Sequence, residues 1–121
     1  MIGALIAGAI AAVWAAVHVW IGGREVARPL RADRTMPPVV RETMWMCWHM
    51  VTSALVTMAV LLLWGGWSGR TDLVLAGTLL AAAVSVGGIM AIPVLGTTIR
   101  RLPQGLLFLP VAALGVQALV G

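Results

Sequence analysis

Long runs without a formal charge divide the chain into four apolar segments. Residues 2–21, 43–67, 73–99 and 102–121 contain no Asp, Glu, Lys or Arg, and they are 20, 25, 27 and 20 residues long. A charge at the centre of the hydrocarbon is costly, so charged residues mark where a chain leaves a bilayer. About 20 helical residues, rising about 1.5 Å each, cross a hydrocarbon core of about 30 Å. The pattern therefore predicts four transmembrane helices.

Turn signals between the segments refine these boundaries. Pro37 and Pro38 are typical of a helix start. The glycine-rich residues 65–69 predict a tight outer turn, after which Thr71 and Asp72 are placed to cap the next helix and complement its dipole. We predict an all-α integral membrane protein, a single domain over residues 1–121 in which four transmembrane helices form an antiparallel bundle. The predicted spans are approximately residues 2–21, 40–65, 72–92 and 104–120.

Composition agrees with a membrane protein and narrows the chemistry. Hydrophobic residues make up 61% of the 121 residues and charged residues 10%, whereas about 25% charged residues is usual in water-soluble domains. A single cysteine excludes a disulfide framework and a dithiol redox enzyme working alone. No span contains paired carboxylates, which disfavours acid–base hydrolysis, so we do not expect an enzyme. The four acidic residues all lie at span ends or in connections: Glu25, Asp33, Glu42 and Asp72.

Arginines set the predicted orientation. Seven of the eight lie in the first and third connections, and only Arg70 lies in the second. The positive-inside rule places both Arg-rich connections in the cytoplasm and both chain ends outside. The arginines are thereby explained without nucleic acid, despite a net charge of +4. Abundant Ala, Gly, Val and Arg without Lys is typical of GC-rich bacterial genes, so we expect the bacterial cytoplasmic (inner) membrane.

Two features of the sequence point to partners. Arg24, Arg28 and Arg31 have the i, i+4, i+7 spacing of a short interfacial helix that can bind anionic lipid headgroups, although an ordinary cytoplasmic loop is the simpler explanation. Small residues recur every four positions in the first and third segments, which allows close helix pairs. These rows are either filled within one chain or used by a homo-oligomer or a larger membrane complex. The rows include Gly3, Ala7, Ala11 and Ala15, and Gly77, Ala81 and Ser85.

Two histidines are the most informative residues for chemistry. His is the side chain whose ordinary pKa allows proton exchange near neutral pH, and an ionisable residue inside an apolar span is a functional hypothesis by default. Trp14 precedes His18 by one turn, and Trp45 precedes His49 in the same way. Both imidazoles are predicted to lie about 6 to 12 Å inside the cytoplasmic interface, where they can face one another.

Several interpretations of this pair stay open. Each histidine can simply fix helix packing through a hydrogen bond. Alternatively His18 and His49 line a polar cleft, continued by Thr52 and Ser53, with Trp14 and Trp45 as gates. They can also bind haem b through both imidazoles, or copper together with Met46. We favour a small, proton-linked polytopic transporter or channel. The rival functions are a haem b or copper subunit for electron transfer or metal handling, and an accessory subunit of a larger complex.

Overall fold

The computed structural model describes the whole chain, Met1–Gly121. It is all-helical, with 84% of the residues in helices and no strands. The elements are α1 (Ile2–Val17), a π-helical stretch that we call the π segment (His18–Ala27), α2 (Arg28–Ala32), α3 (Pro38–Ser68), α4 (Thr71–Val94), α5 (Gln104–Leu107) and α6 (Leu109–Val120).

Three helices are long and apolar enough to cross a membrane, and a fourth is shorter. The long ones are Ile2–Ala32, Pro38–Ser68 and Thr71–Val94, and the shorter apolar helix is Gln104–Val120. The prediction of an all-α chain with four apolar helices is therefore confirmed, and the three long helices indicate membrane association.

The first helix continues beyond the end of its predicted span. We expected the span to end near residue 21, but α1, the π segment and α2 form one continuous helix to Ala32. In the π segment the backbone N–H groups bond five residues back, as Arg28 N–H does to the Gly23 carbonyl. Charged residues mark where a chain leaves the hydrocarbon, whereas a helix ends only where its backbone hydrogen bonding ends. Only residues 33–37 connect this helix to α3.

The predicted outer turn is also shorter than expected. α3 extends to Ser68, and Gly69, with a φ of 70°, turns the chain before α4 begins at Thr71. Gly65 and Gly66 are buried inside α3, where a Cβ on Gly65 would lie 2.8 Å from Val74 Cγ2. These two glycines serve close packing rather than the turn. The predicted capping of α4 by Thr71 and Asp72 is wrong, because no side chain caps that helix, but Asp72 does place a carboxylate in its first turn. The Asp72 carboxylate instead pairs with Arg70.

The four helical rods form a closed ring around an apolar core. α1 packs against α3 and α6, and α4 packs against the same two helices on the other side. Neighbours run antiparallel: Gly8 of α1 lies beside Leu63 near the end of α3, whereas Gly22 lies beside Trp48. The core consists of Ala4, Ala7, Ala11, Ala15, Leu55, Met58, Ala59, Leu62, Val74, Ala81, Phe108 and Val111.

The core of a single chain leaves no polar route from end to end. Its two buried polar residues, Thr78 and Ser85, both donate to backbone carbonyls, those of Val74 and Gly105. The small-residue rows of α1 and α4 largely face this core, since Ala7, Ala11 and Ala15 of α1 and Gly77, Ala81 and Ser85 of α4 are buried. These rows are thus taken up by packing within one chain.

Candidate functional site

His18 makes the one side chain–side chain hydrogen bond between two helices of the bundle. Its Nε2 atom lies 3.0 Å from the Thr52 hydroxyl oxygen of α3. Its ring stacks on the Trp48 indole, with the ring centroids 3.9 Å apart and the planes 15° from parallel. The imidazole is therefore fixed in both position and orientation, by a hydrogen bond at its edge and an aromatic face against its own face.

Gly22 makes room for this stack. A Cβ at Gly22 would lie only 2.7 Å from Cη2 of Trp48. The large indole therefore lies directly on the backbone of the π segment, one turn beyond His18. At the neighbouring Gly23 a Cβ would meet nothing within 4 Å. Of this glycine pair, only Gly22 is required for the approach of Trp48.

The second histidine, His49, lies on a different face of α3 from Trp48 and Thr52, the two residues that contact His18. His49 is exposed, and its ring meets the edge of the Trp45 ring, with centroids 4.7 Å apart and an interplanar angle of 80°. Trp48, one residue before it, stacks on His18. The two imidazoles are thus engaged by different tryptophans, and neither ring bonds the other.

The structure divides the remaining predicted site residues. Thr52 joins His18, whereas the exposed Ser53 donates to the His49 carbonyl of its own helix. Trp14 does not stack on either histidine, and its buried Nε1 has no hydrogen-bond partner. Met46 is 56% exposed on the outside of α3.

Trp48 is the site residue that the sequence pattern misses. The repeated Trp-x-x-x-His spacing selects Trp14 and Trp45, because residues four apart are neighbours within one helix and the spacing carries no information on contacts between helices. Trp48 precedes Thr52 by four residues and therefore shares its helix face. The spacing of four residues between Trp48 and the predicted site residue Thr52 is the sequence signal that points to Trp48.

A cleft of about 300 Å³ opens between the π segment and α3; we call it the α3 cleft. Trp48 joins the two sites, because one face of its ring meets His18 and the residue also lines the cleft. His18 itself is not in the lining. The lining includes Trp20, Gly23, Arg24 and Arg28 on one side and Trp45, Trp48, His49 and Thr52 on the other.

A short hydrogen-bonded turn fixes the relative placement of the two walls of the α3 cleft. Asp33 accepts hydrogen bonds from the backbone N–H and the hydroxyl of Thr35, both at 2.7 Å. The Arg41 guanidinium donates to the Asp33 carbonyl at 2.9 Å, which joins the turn to α3. The Thr35 hydroxyl, followed by the Thr35 N–H, holds the pKa of the Asp33 carboxyl below its ordinary value. The turn is therefore stabilised by an ionised Asp33.

The predicted cofactors gain no specific support from these positions. No group of three or more His, Cys, Asp or Glu side chains is placed to hold a metal. The His18 Nε2 atom faces the Thr52 hydroxyl, whereas His49 and Met46 are exposed. Haem b and copper binding by these residues stay predictions.

Comparison with known proteins adds no further constraint. No protein-family model matches the chain, and no curated protein or solved structure matches it.

Proposed function

We propose that this chain is an integral membrane protein whose four helices cross the bilayer of the bacterial inner membrane. Large apolar side chains cover the outer faces of the helices, where water would be a poor solvent for them. Lipid chains, in contrast, cover such a surface without cost. Examples are Ile2, Ile6 and Val13 of α1, Val56, Val60 and Trp64 of α3, Leu75, Leu79, Val86 and Met90 of α4, and Leu109 and Val116 of α6.

The proposed orientation has the Arg-rich end of the bundle in the cytoplasm and both chain ends outside. The helix Ile2–Ala32 has 31 residues and is slightly shorter than a regular α-helix of that length, which would measure about 46 Å, because the π segment rises less per residue. It exceeds a hydrocarbon core of about 30 Å, so its Arg-containing last third projects into the headgroup region and beyond. His18 then lies near the cytoplasmic end of the hydrocarbon.

We propose further that the protein carries out proton-linked transport, with His18 as the group that binds and releases the proton. The observation that carries this proposal is the contact of His18 with both Thr52 and Trp48 between two helices. An imidazole is the side chain that exchanges protons near neutral pH, and ionisable groups at membrane depth mark ion pathways. His49, exposed at the α3 cleft, is placed to exchange protons with the cytoplasmic side.

The Thr52 hydroxyl gives this site two hydrogen-bond arrangements. Its single proton has two acceptors at 3.0 Å, the Trp48 carbonyl oxygen and an unprotonated His18 Nε2. When Nε2 carries a proton, it donates to the Thr52 oxygen and the hydroxyl donates to the carbonyl. When Nε2 is unprotonated, the hydroxyl turns and donates to it. Proton exchange at His18 therefore changes the hydrogen bonding of α3 one turn away.

The transport route in this proposal runs between copies of the chain. The apolar core of one copy is filled and has no polar passage. A proton or small polar solute would have to pass at the outer face near His18 and His49, between two or more chains. A homo-oligomer is thus part of the proposed function.

Proton flux into liposomes tests the proposal. We expect acid-driven flux for the wild-type chain, a loss of about tenfold or more in His18→Gln, since proton relay groups of this kind contribute about 10²-fold or more, and a smaller loss in His49→Gln. Thr52→Val should weaken the flux because it removes the hydroxyl that bonds Nε2.

Thr43→Val is the matched control for Thr52→Val. The Thr43 hydroxyl also donates to a carbonyl four residues back in α3, at 2.7 Å, but it contacts no histidine. Its removal should leave the flux unchanged. Unchanged flux in the double variant His18→Ala, His49→Ala would overturn the proposal.

A further inference from the structure

We propose that the α3 cleft is a binding site for the phosphate group of an anionic phospholipid. Arg24 and Arg28 line it, and neither guanidinium has an ion-pair or hydrogen-bond partner within the chain. The inference depends on the proposed placement in a membrane but not on proton transport. The headgroup would thus bind at one defined cleft, whereas an arginine-rich loop would attract anionic headgroups without a defined site.

Charge at the cleft favours an anion. Arg24 and Arg28 lie four residues apart on the cleft wall formed by the π segment and the start of α2, and no acidic residue belongs to the lining. Glu25 is next to Arg24 in sequence but forms no ion pair with it. Guanidinium groups bind phosphate oxygens through charge-assisted and often bidentate hydrogen bonds.

Arg31 is not part of this site. Its guanidinium carbon lies 5.1 Å from the centre of the Trp45 ring, within the range of a cation–π contact. The three arginines that share a periodic spacing in the sequence therefore differ in role. Arg31 holds the Trp45 wall of the cleft, whereas Arg24 and Arg28 remain available to a ligand.

The apolar part of the lining indicates a lipid rather than a free phosphate. Val19 and Trp20 continue the wall towards the hydrocarbon, and Trp20 is 72% exposed. Tryptophan is enriched at the depth of lipid headgroups. An acyl chain can lie along these exposed side chains while its phosphate lies between the arginines, an arrangement that a soluble phosphate cannot use.

Lipid titration followed by native mass spectrometry tests the assignment. The purified full chain in detergent is titrated with phosphatidylglycerol or, for comparison, with phosphatidylcholine. We expect tighter binding of phosphatidylglycerol and a loss of about tenfold or more in the double variant Arg24→Gln, Arg28→Gln, given the usual strength of such contacts. Equal binding of the two lipids by the wild-type chain would overturn the proposal.

The variant Arg100→Gln, Arg101→Gln is the control for charge. It removes the same two charges from the same side of the membrane but outside the cleft. We expect its affinity for phosphatidylglycerol to match that of the wild type. An equal loss in both double variants would show diffuse attraction to the basic surface and would contradict a defined site.

Gly23→Leu tests the cleft without a change in charge. The space beside Gly23 is open, so a larger side chain would fill the cleft and leave both arginines in place. We expect weakened phosphatidylglycerol binding with unchanged helicity by circular dichroism. Unchanged binding would place the lipid elsewhere.

Two further measurements separate the alternatives. Displacement of the lipid by an equimolar amount of glycerol 3-phosphate would show that the acyl chain adds nothing to binding, contrary to the proposal. His18→Gln retains both cleft arginines, and we expect it to bind phosphatidylglycerol like the wild type. Failure of the flux experiment and failure of the lipid experiment are therefore distinguishable.

Discussion

At the scale of single residues, the two histidines differ in their contacts: His18 contacts Thr52 and Trp48 of α3, whereas His49 contacts a tryptophan of its own helix. Both are recognisable from the sequence because an ionisable side chain in an apolar span is unusual. Their surroundings are not, since the contact between His18 and Trp48 depends on which face of α3 is turned towards the first helix. Sequence spacing describes neighbours within a helix, so it finds Trp45 beside His49 and misses Trp48 beside His18.

Gly22→Ala should disturb the His18 stack and destabilise the chain. The new methyl group would lie 2.7 Å from Trp48 Cη2, so the indole must shift. Overpacking of this kind costs about 1–3 kcal/mol in the free energy of unfolding. Gly23→Ala, with open space around its Cβ, should instead raise that free energy by up to about 1 kcal/mol through better helix propensity. Unfolding in mixed micelles, followed by tryptophan fluorescence, compares the two. Equal effects would show that the indole does not lie on Gly22.

At the scale of elements, the charge pattern predicts which segments are apolar helices but not where those helices end. Uncharged runs locate four apolar helices, as observed. They do not show where each helix ends, because Arg24 and Arg28 are ordinary helical residues once outside the hydrocarbon. No local sequence pattern predicts the π-helical winding of residues 18–27 either. Glycines were similarly ambiguous: residues 65–69 have the composition of a turn, yet Gly65 and Gly66 are buried within α3.

Ser85→Ala should weaken the junction of α4 and α5. The buried Ser85 hydroxyl donates to the Gly105 carbonyl at 2.8 Å, a bond that crosses from one helix to the next. Its loss should lower the free energy of unfolding by about 1 kcal/mol. Ser68→Ala is the control, because the exposed Ser68 hydroxyl bonds only the Trp64 carbonyl of its own helix. Denaturation of both variants measures the difference, and no difference would mean that the Ser85 bond is not stabilising.

At the scale of the whole molecule, the ring of four helices determines where the rows of small residues pack. The rows in α1 and α4 are compatible with either internal packing or self-association when only the sequence is considered. Ring closure turns most of both rows inwards, where Ala7 and Ala11 of α1 and Ala81 of α4 are fully buried. Local sequence does not distinguish internal packing from self-association, because the order of helices around the ring depends on long-range packing. Self-association in the proposed function must therefore use outer faces.

The proposed orientation predicts which ends of the bundle are accessible from outside. In a Cys47→Ser background, Ala32→Cys at the Arg-rich end should react with a membrane-impermeant maleimide only after cells are opened. Ser68→Cys, at the opposite end, should react in intact cells. Both native residues are exposed, so lack of access to solvent does not explain a difference. The reverse labelling pattern would contradict the orientation given by the arginines.

The π segment also determines the angular phase of everything that follows it. A π-helix has about 4.4 residues per turn against about 3.6 for an α-helix, a difference of about 18° per residue. Over the ten residues of His18–Ala27 this accumulates to about half a turn. With ordinary α-helical winding, Arg31 would therefore lie on the far side of the helix from Trp45, while His18 kept its place beside Thr52. One change of helical pitch thus lets a single helix contact α3 at both His18 and Arg31, and this helix lines one side of the intervening cleft without a break in the chain.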